Sequence, residues 1–206
     1  MPDGDIARFD RLAARYDRHY IQWFARRIHP EVVAAVAPTP ASVLDVGCGT
    51  GVLLQRLGER WPSARLSGLD AAPGMVGVAA GRLAQADVRL GFAESLPWPD
   101  AAFDLVTTSL SFHHWRDKAA GIREAARVLR PSGQFILADV GGDGFTGAAA
   151  RFFGQLTRSD EEFLPSARVA ALMIAAGLGE VRVQPLLRGH FRLISARRLA
   201  PQPRTV

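Results

Sequence analysis

At 206 residues the chain is long enough to bury one sizeable core without dividing into two domains. A lone Cys48 excludes an internal disulfide and a cysteine-built metal cage; no apolar run reaches membrane-spanning length and residues 1–20 lack the apolar core of a signal peptide, so a cytoplasmic location is expected. The net charge of +5 would ordinarily raise nucleic acid as a partner, but all of the 25 basic residues except Lys118 are arginine and asparagine is absent, a composition of coding bias, and nucleic acid is set aside.

In chain order, Ile6, Phe9, Ala13, Tyr16, Tyr20 and Trp23 recur at three- and four-residue steps and predict a helix with one aromatic-rich face. Strands are expected over 42–46, 65–69, 87–91, 103–109 and 133–139. Helices fit 51–60, 73–82 and 117–129, the last capped by Asp117 and ended by Pro131-Ser132-Gly133. A helix over 166–176 ends at Gly177, and Glu180–Leu187 with His190–Arg197 read as a closing hairpin around Arg188-Gly189. Arg182, Arg188, Arg192, Arg197, Arg198 and Arg204 in the final 26 residues read as a solvated face and a frayed basic tail. The alternation of strand and helix predicts an α/β domain with a mainly parallel sheet and helices on both faces.

The chemistry concentrates at strand ends. Val43-Leu44-Asp45-Val46-Gly47-Cys48-Gly49-Thr50-Gly51 runs from a strand through a carboxylate into three alternating glycines and then a helix, a turn whose backbone can lie against a ligand and offer N–H groups. The third glycine falls at 51, with Val52 where a dinucleotide fingerprint would place it. Asp70, at the end of the second strand, is positioned to accept ribose hydroxyls, which serves NAD and S-adenosylmethionine (SAM) alike.

The acidic-x-G-x-G-x-G form resembles motif I of the class I SAM-dependent methyltransferases. Gly91 to Val106 resembles the "GDAExLPFPDxxFDLV" stretch of small-molecule methyltransferases, especially relatives of the ubiquinone and menaquinone biosynthesis C-methyltransferases. Glu124 to Phe135 resembles their "ExxRVLKPGG" segment, and Phe9 to Asp17 their "FDxxAxxYD" opening; together these cover roughly residues 9–140. The resemblance implies a Rossmann-like doubly wound sheet of seven strands, mostly parallel with an antiparallel last strand. It implies a single domain over 1–206, with residues 1–30 as a helical lid and 141–165, rich in Phe145, Phe152, Phe153 and Phe163, as an acceptor-pocket insert.

It further implies SAM as cofactor, with S-adenosylhomocysteine as product, and a site built from Tyr16, Asp45, Gly47, Cys48, Gly49, Gly51, Asp70, Ala71, Phe92, Ala93, Glu94, Ser109 and Leu110. Phe92 stands where the family usually has Asp, so an adenine contact there would be through the ring, unless the ring turns into the core. The expected partner is a small-molecule acceptor, apolar or aromatic; no metal is expected, and the oligomeric state stays open. Methyl transfer from a sulfonium needs alignment above all, with a base optional, and His113 and His114 after the fourth strand are the candidates for that base. An NAD(P)-linked oxidoreductase and a catalytically silent SAM-binding module remain as alternatives.

Overall fold

The computed structural model describes residues 3–141, 143 and 163–200, and the expectations placed on Phe145, Phe152, Phe153 and Arg204 lie outside them. Seven strands form one sheet: β1 Ser42–Val46, β2 Arg65–Asp70, β3 Asp87–Leu90, β4 Phe103–Ser109, β5 Leu129–Val140, β6 Leu178–Leu186 and β7 Phe191–Arg198, in the order β3-β2-β1-β4-β5-β7-β6. β1 to β5 run parallel, and β7 is antiparallel to both of its neighbours. The helices are α1 Asp3–Leu12, α2 Ile21–Ala34, α3 Val52–Arg60, α4 Pro73–Arg82, α5 Lys118–Val128 and α6 Ser166–Ala175.

Strand periodicity sends neighbouring residues to opposite faces, and the sheet has a core on each. Leu44, Val106, Phe135 and Leu137 pack with Ile122 and Ala125 of α5 and Val169 and Met173 of α6. Their neighbours Val43, Leu105 and Ile136 pack against Ile28 and Val32 of α2 and Leu53, Leu54 and Leu57 of α3. Both faces being covered explains why β1 reads as a continuous buried run. Strand order reverses between β2-β1 and β4-β5, and the crevice beyond the carboxyl ends there is where such sheets bind ligands.

Three expectations are corrected. The aromatic-rich stripe from Ile6 to Trp23 is not one helix: α1 stops at Leu12, Ala13–Arg18 forms a 3-10 turn, and α2 starts at Ile21. Ala13 is buried against Ala72 and Met75 of the α4 region, with Phe9 and Tyr16 beside it, whereas Tyr20 and Trp23 are 71% and 53% exposed. The chain therefore bends to dock its first part, and the stripe does not continue past residue 16. β5 starts at Leu129 rather than 133, because buried Leu129 pairs with Phe103 before a bulge restores register at Gln134.

Three of the six C-terminal arginines, Arg192, Arg197 and Arg198, are structural rather than part of a solvated face, whereas Arg182 and Arg188 are exposed as expected. Arg198 donates to the Arg127 and Leu129 carbonyls and Arg197 to those of Ser132 and Ala37, while Arg192 is buried. They tie β7 to the turns around it.

Candidate active site

The motif I turn is built from β1 outward. Asp45 is buried and accepts a hydrogen bond from the Thr107 hydroxyl at 2.8 Å, across the β1–β4 register that sets the two side by side. Burial pushes its carboxyl up to about 7, the Thr107 bond opposing and the nearby Asp70 adding to the effect. The N–H groups of Gly47 and Cys48 both donate to the Leu69 carbonyl at 2.7 and 3.0 Å, closing the turn on β2. Gly47, Gly49 and Gly51 all hold positive φ, at 73°, 53° and 81°.

Two of these glycines serve different purposes. A Cβ on Gly47 would stand inside the Ser111 side chain, so this residue is fixed by packing against the loop after β4. A Cβ on Gly49 would meet only Tyr16 Cε1, 4.0 Å away, across open crevice. The Cys48 thiol is buried beside Gly68 and Leu54, so its sulfur is packed into the fold.

Asp70 closes the other side. Its Oδ2 accepts the Gly49 N–H and its Oδ1 the Ala72 N–H, both at 2.9 Å, which spans the gap from motif I to the start of α4. Burial raises its pKa against the pull of the Ala72 and Gly49 N–H groups. Each oxygen keeps further acceptor capacity for a hydroxyl. Beside it, Ala71, Phe92, Ala93 and Glu94 line a recess of about 290 Å³. The Phe92 ring is 40% exposed with the Arg116 guanidinium 5.3 Å from its centroid, so it has not turned into the core. Glu94 accepts the Asp117 N–H at 3.1 Å and steadies the entry to α5.

One crevice joins Asp45, Gly47, Cys48, Gly49 and Asp70 with Ser109 and Leu110 after β4 and with Tyr16 of the N-terminal arm. Gly51 stands behind the turn as the N-cap of α3, with Ala79 of α4 3.3 Å from where its Cβ would be. Leu110 takes a φ of 53°, unusual for a branched residue, held by its N–H bond to the Ala138 carbonyl at 2.9 Å. Burial, with Asp70 nearby, pushes the Tyr16 phenol up to about 12, so it stays a neutral donor.

A second crevice of about 750 Å³ opens from the first, sharing Phe9, Tyr16, Leu110 and His114 and adding His113, Tyr20, Phe163 and, at its exposed rim, Arg8. His113 Nδ1 lies 2.8 Å from Asp139 Oδ1 at the end of β5, and its backbone N–H donates to Asp139 Oδ2 at 3.0 Å. Phe163 stacks on the ring at 5.1 Å and 20°. His114 turns its Nδ1 to Asp5 of α1 at 3.1 Å, and Phe9 meets its ring edge-on. The His114 bond holds Asp5 below the ordinary carboxylate range despite burial. Lys118, buried in α5, donates to the His113 and Trp115 carbonyls and holds this turn in place.

The N-terminal arm is fastened to the crevice walls by carboxylates. Asp17 accepts from Thr50 at 2.6 Å and pairs with Arg82, and Asp10 accepts the Gly74 N–H at 2.6 Å. Reasoning from the sequence did not find Asp139, Thr107, Ser111, Gln22 or His29, all of which stand in or behind the crevice. Among the described residues His29 Nδ1 and Ser109 Oγ are buried there with no partner, and burial, reinforced by Arg56, pushes the His29 ring down to about 4, keeping it neutral. Such orphaned polar atoms, a buried carboxylate and a glycine cradle facing open space fit a polar ligand bearing both donors and acceptors, as SAM does. Among the described residues no group of three or more His, Cys, Asp and Glu could hold a metal ion.

Residues 44–137 match a family model described as a methyltransferase domain. A demethylmenaquinone methyltransferase of Deinococcus radiodurans is 35% identical over 128 residues, 60% of this chain and 51% of that protein. A malonyl-[acyl-carrier protein] O-methyltransferase of Hahella chejuensis is 35% identical over 158 residues, 73% of this chain and 56% of that protein. The chain thus spans about half to three fifths of the length of such curated relatives. Among solved structures, a Haloferax volcanii methyltransferase in complex with the Trm112 activator superposes with a TM-score of 0.78 at 21% identity, over 93% of this chain and 98% of its own, which is a likeness of fold. The strand order, the motif I turn and these matches identify the chain as carrying a class I SAM-dependent methyltransferase domain.

Proposed function

We propose that the chain transfers the methyl group of SAM to a small apolar or aromatic acceptor by in-line displacement. The observation that carries this reading is the pair of confluent crevices, one walled by the motif I turn and Asp70, the other by aromatic rings and histidines, meeting at Tyr16, Leu110 and His114. SAM supplies a methyl group on a positively charged sulfur, already a good leaving group. The chain's residues hold and align. Asp70 accepts ribose hydroxyls, Asp45 and Ser109 face the amino-acid end, and Phe92 with Ala71, Ala93 and Glu94 takes the adenine. Tyr16 closes over the reacting centre and excludes water. Alignment of this kind is worth roughly 7–11 kcal/mol of barrier in favourable cases, so no protein nucleophile is needed.

The activities after which the relatives are named, on demethylmenaquinone and on malonyl-[acyl-carrier protein], agree with acceptors that are not nucleic acid. Among the described residues no helix is long and apolar enough to cross a membrane.

Calorimetry with SAM, S-adenosylhomocysteine and NAD tests the cofactor assignment. SAM and its product are expected to bind and NAD not to. Asp70→Asn keeps the side-chain shape but removes the charge behind bonds worth about 1.5–3 kcal/mol, and should weaken SAM roughly ten- to a hundredfold. Tight NAD binding, or unchanged SAM affinity in the variant, overturns the assignment. Incorporation of label from methyl-labelled SAM into a small-molecule extract separates an enzyme from a silent binding module.

A further inference from the structure

We propose that His113 is the proton acceptor of the reaction, that Asp139 is its positioning residue, and that the acceptor is an O–H or activated C–H acid such as a phenol, hydroquinone or enol. This rests on the methyl-transfer reading above and assigns chemistry to its second crevice.

The two neighbouring histidines are held differently. Asp139, 1% exposed at the end of β5, grips His113 twice, through the ring Nδ1 at 2.8 Å and the backbone N–H at 3.0 Å, so both the position and the angle of the ring are set by one carboxylate. The Val140 N–H donates to the same carboxylate at 2.7 Å, and Arg192, the cross-strand neighbour of Asp139 on β7, interacts with it electrostatically. Burial disfavours the Asp139 charge, yet His113 and these N–H groups hold its pKa below the ordinary value. An ionised carboxylate only accepts hydrogen bonds, so the neutral His113 ring carries its proton on Nδ1 and its basic lone pair on Nε2. Phe163 stacked on the ring fixes its plane. His114 is committed instead to Asp5 of the arm, so its ring follows the arm.

The crevice that His113 enters is lined by Phe9, Tyr16, Tyr20 and Phe163. A carboxylate acceptor arrives ionised at neutral pH and gains nothing from a base. A phenol, with a pKa near 10, does. In the step proposed, the acceptor's proton passes to His113 Nε2 and the freed lone pair bonds to the methyl carbon. The carbon–sulfur pair returns to sulfur, leaving S-adenosylhomocysteine and a protonated His113 that sheds its proton to solvent.

Among the described residues, the charged and titratable groups around His113 include Asp139 and its cross-strand neighbour Arg192 from the sheet, Lys118 of α5, Asp5 and Arg8 of α1, and His114. Long-range ¹H–¹⁵N spectra of the intact protein with S-adenosylhomocysteine bound should show His113 as the Nδ1–H tautomer. In Asp139→Asn its apparent pKa should fall by roughly one unit or more. An Nε2–H tautomer in the wild type overturns the proposal whether or not the variant folds, as does an unmoved pKa in a folded variant. Turnover is read with 1,4-naphthohydroquinone, a substituted phenol and the malonyl thioester of N-acetylcysteamine. His113→Gln should lose about 10² to 10⁴ in kcat and the acidic limb of the pH profile, with SAM affinity within about twofold. His114→Gln should keep that limb. An unchanged limb in His113→Gln, or a wild type that methylates only the malonyl thioester or none of the three, overturns it. Failure of the wild type to bind SAM would instead refute the methyltransferase reading itself.

Discussion

At the scale of single residues, Gly47 and Gly49 share a motif and a backbone conformation but answer to different constraints. Gly47 is held by Ser111, with no room for a methyl group; Gly49 looks across the crevice at Tyr16, 4.0 Å from a notional Cβ. Gly47→Ala forces the loop after β4 to move, and overpacking of this kind costs about 1–3 kcal/mol beyond the backbone term. Gly49→Ala carries only the left-handed backbone cost of roughly 1–2 kcal/mol, and its methyl group enters ligand space. Thermal melting together with calorimetry should therefore find Gly47→Ala the less stable of the two, and Gly49→Ala the more weakened in SAM affinity relative to its stability loss. Equal losses of both quantities in the two variants would mean that Gly49 is a packing glycine as well.

At the scale of elements, the α/β alternation was readable because the central strands β1 and β4 are short apolar runs and the breaks between elements fall at glycine, proline or a capping residue. Asp117 does cap α5, accepting the Ala120 N–H at 2.8 Å. Asp45, Asp70 and the glycines were readable because their meaning is local to a strand end. Thr107 and Asp139 were not, since what they do depends on a partner 62 and 26 residues away that only sheet register or loop folding brings near. The arm was misread for a related reason: periodicity reports a stripe, not where tertiary contacts break it. Those contacts make the arm a testable closure, because Asp5, Asp10 and Asp17 each tie it to a different wall of the site. S-adenosylhomocysteine should slow hydrogen exchange across residues 3–18, and Asp17→Asn, which frees Thr50 and Arg82, should abolish most of that protection while leaving the sheet protected. An arm equally protected with and without ligand would be a fixed wall rather than a lid.

At the scale of the whole molecule, the site is held at a cost in stability that pH reveals. Asp45, raised from 3.8 to about 7, keeps a proton in the folded chain that the unfolded chain has released. Its contribution is present below about pH 4 and is lost as pH rises toward 7; Asp70, also raised, acts in the same direction. His29, lowered from 6.5 to about 4, works oppositely, since the unfolded chain takes up a proton that the folded one refuses and stability is lost as pH falls. The two nearly mask each other between pH 4 and 6.5, so the wild-type melting curve alone is a poor witness. Asp45→Asn isolates the carboxyl. Its melting temperature relative to wild type should climb as pH rises from 4 to 7 and level off above, because the variant has no buried charge to form. SAM affinity should move the other way. A cationic ligand favours the ionised carboxylate, so wild-type binding should strengthen through the same interval while Asp45→Asn shows weaker, pH-flat binding. A stabilised variant that binds SAM as the wild type does at pH 7.5 would show that Asp45 is buried for the fold and takes no part in holding the cofactor.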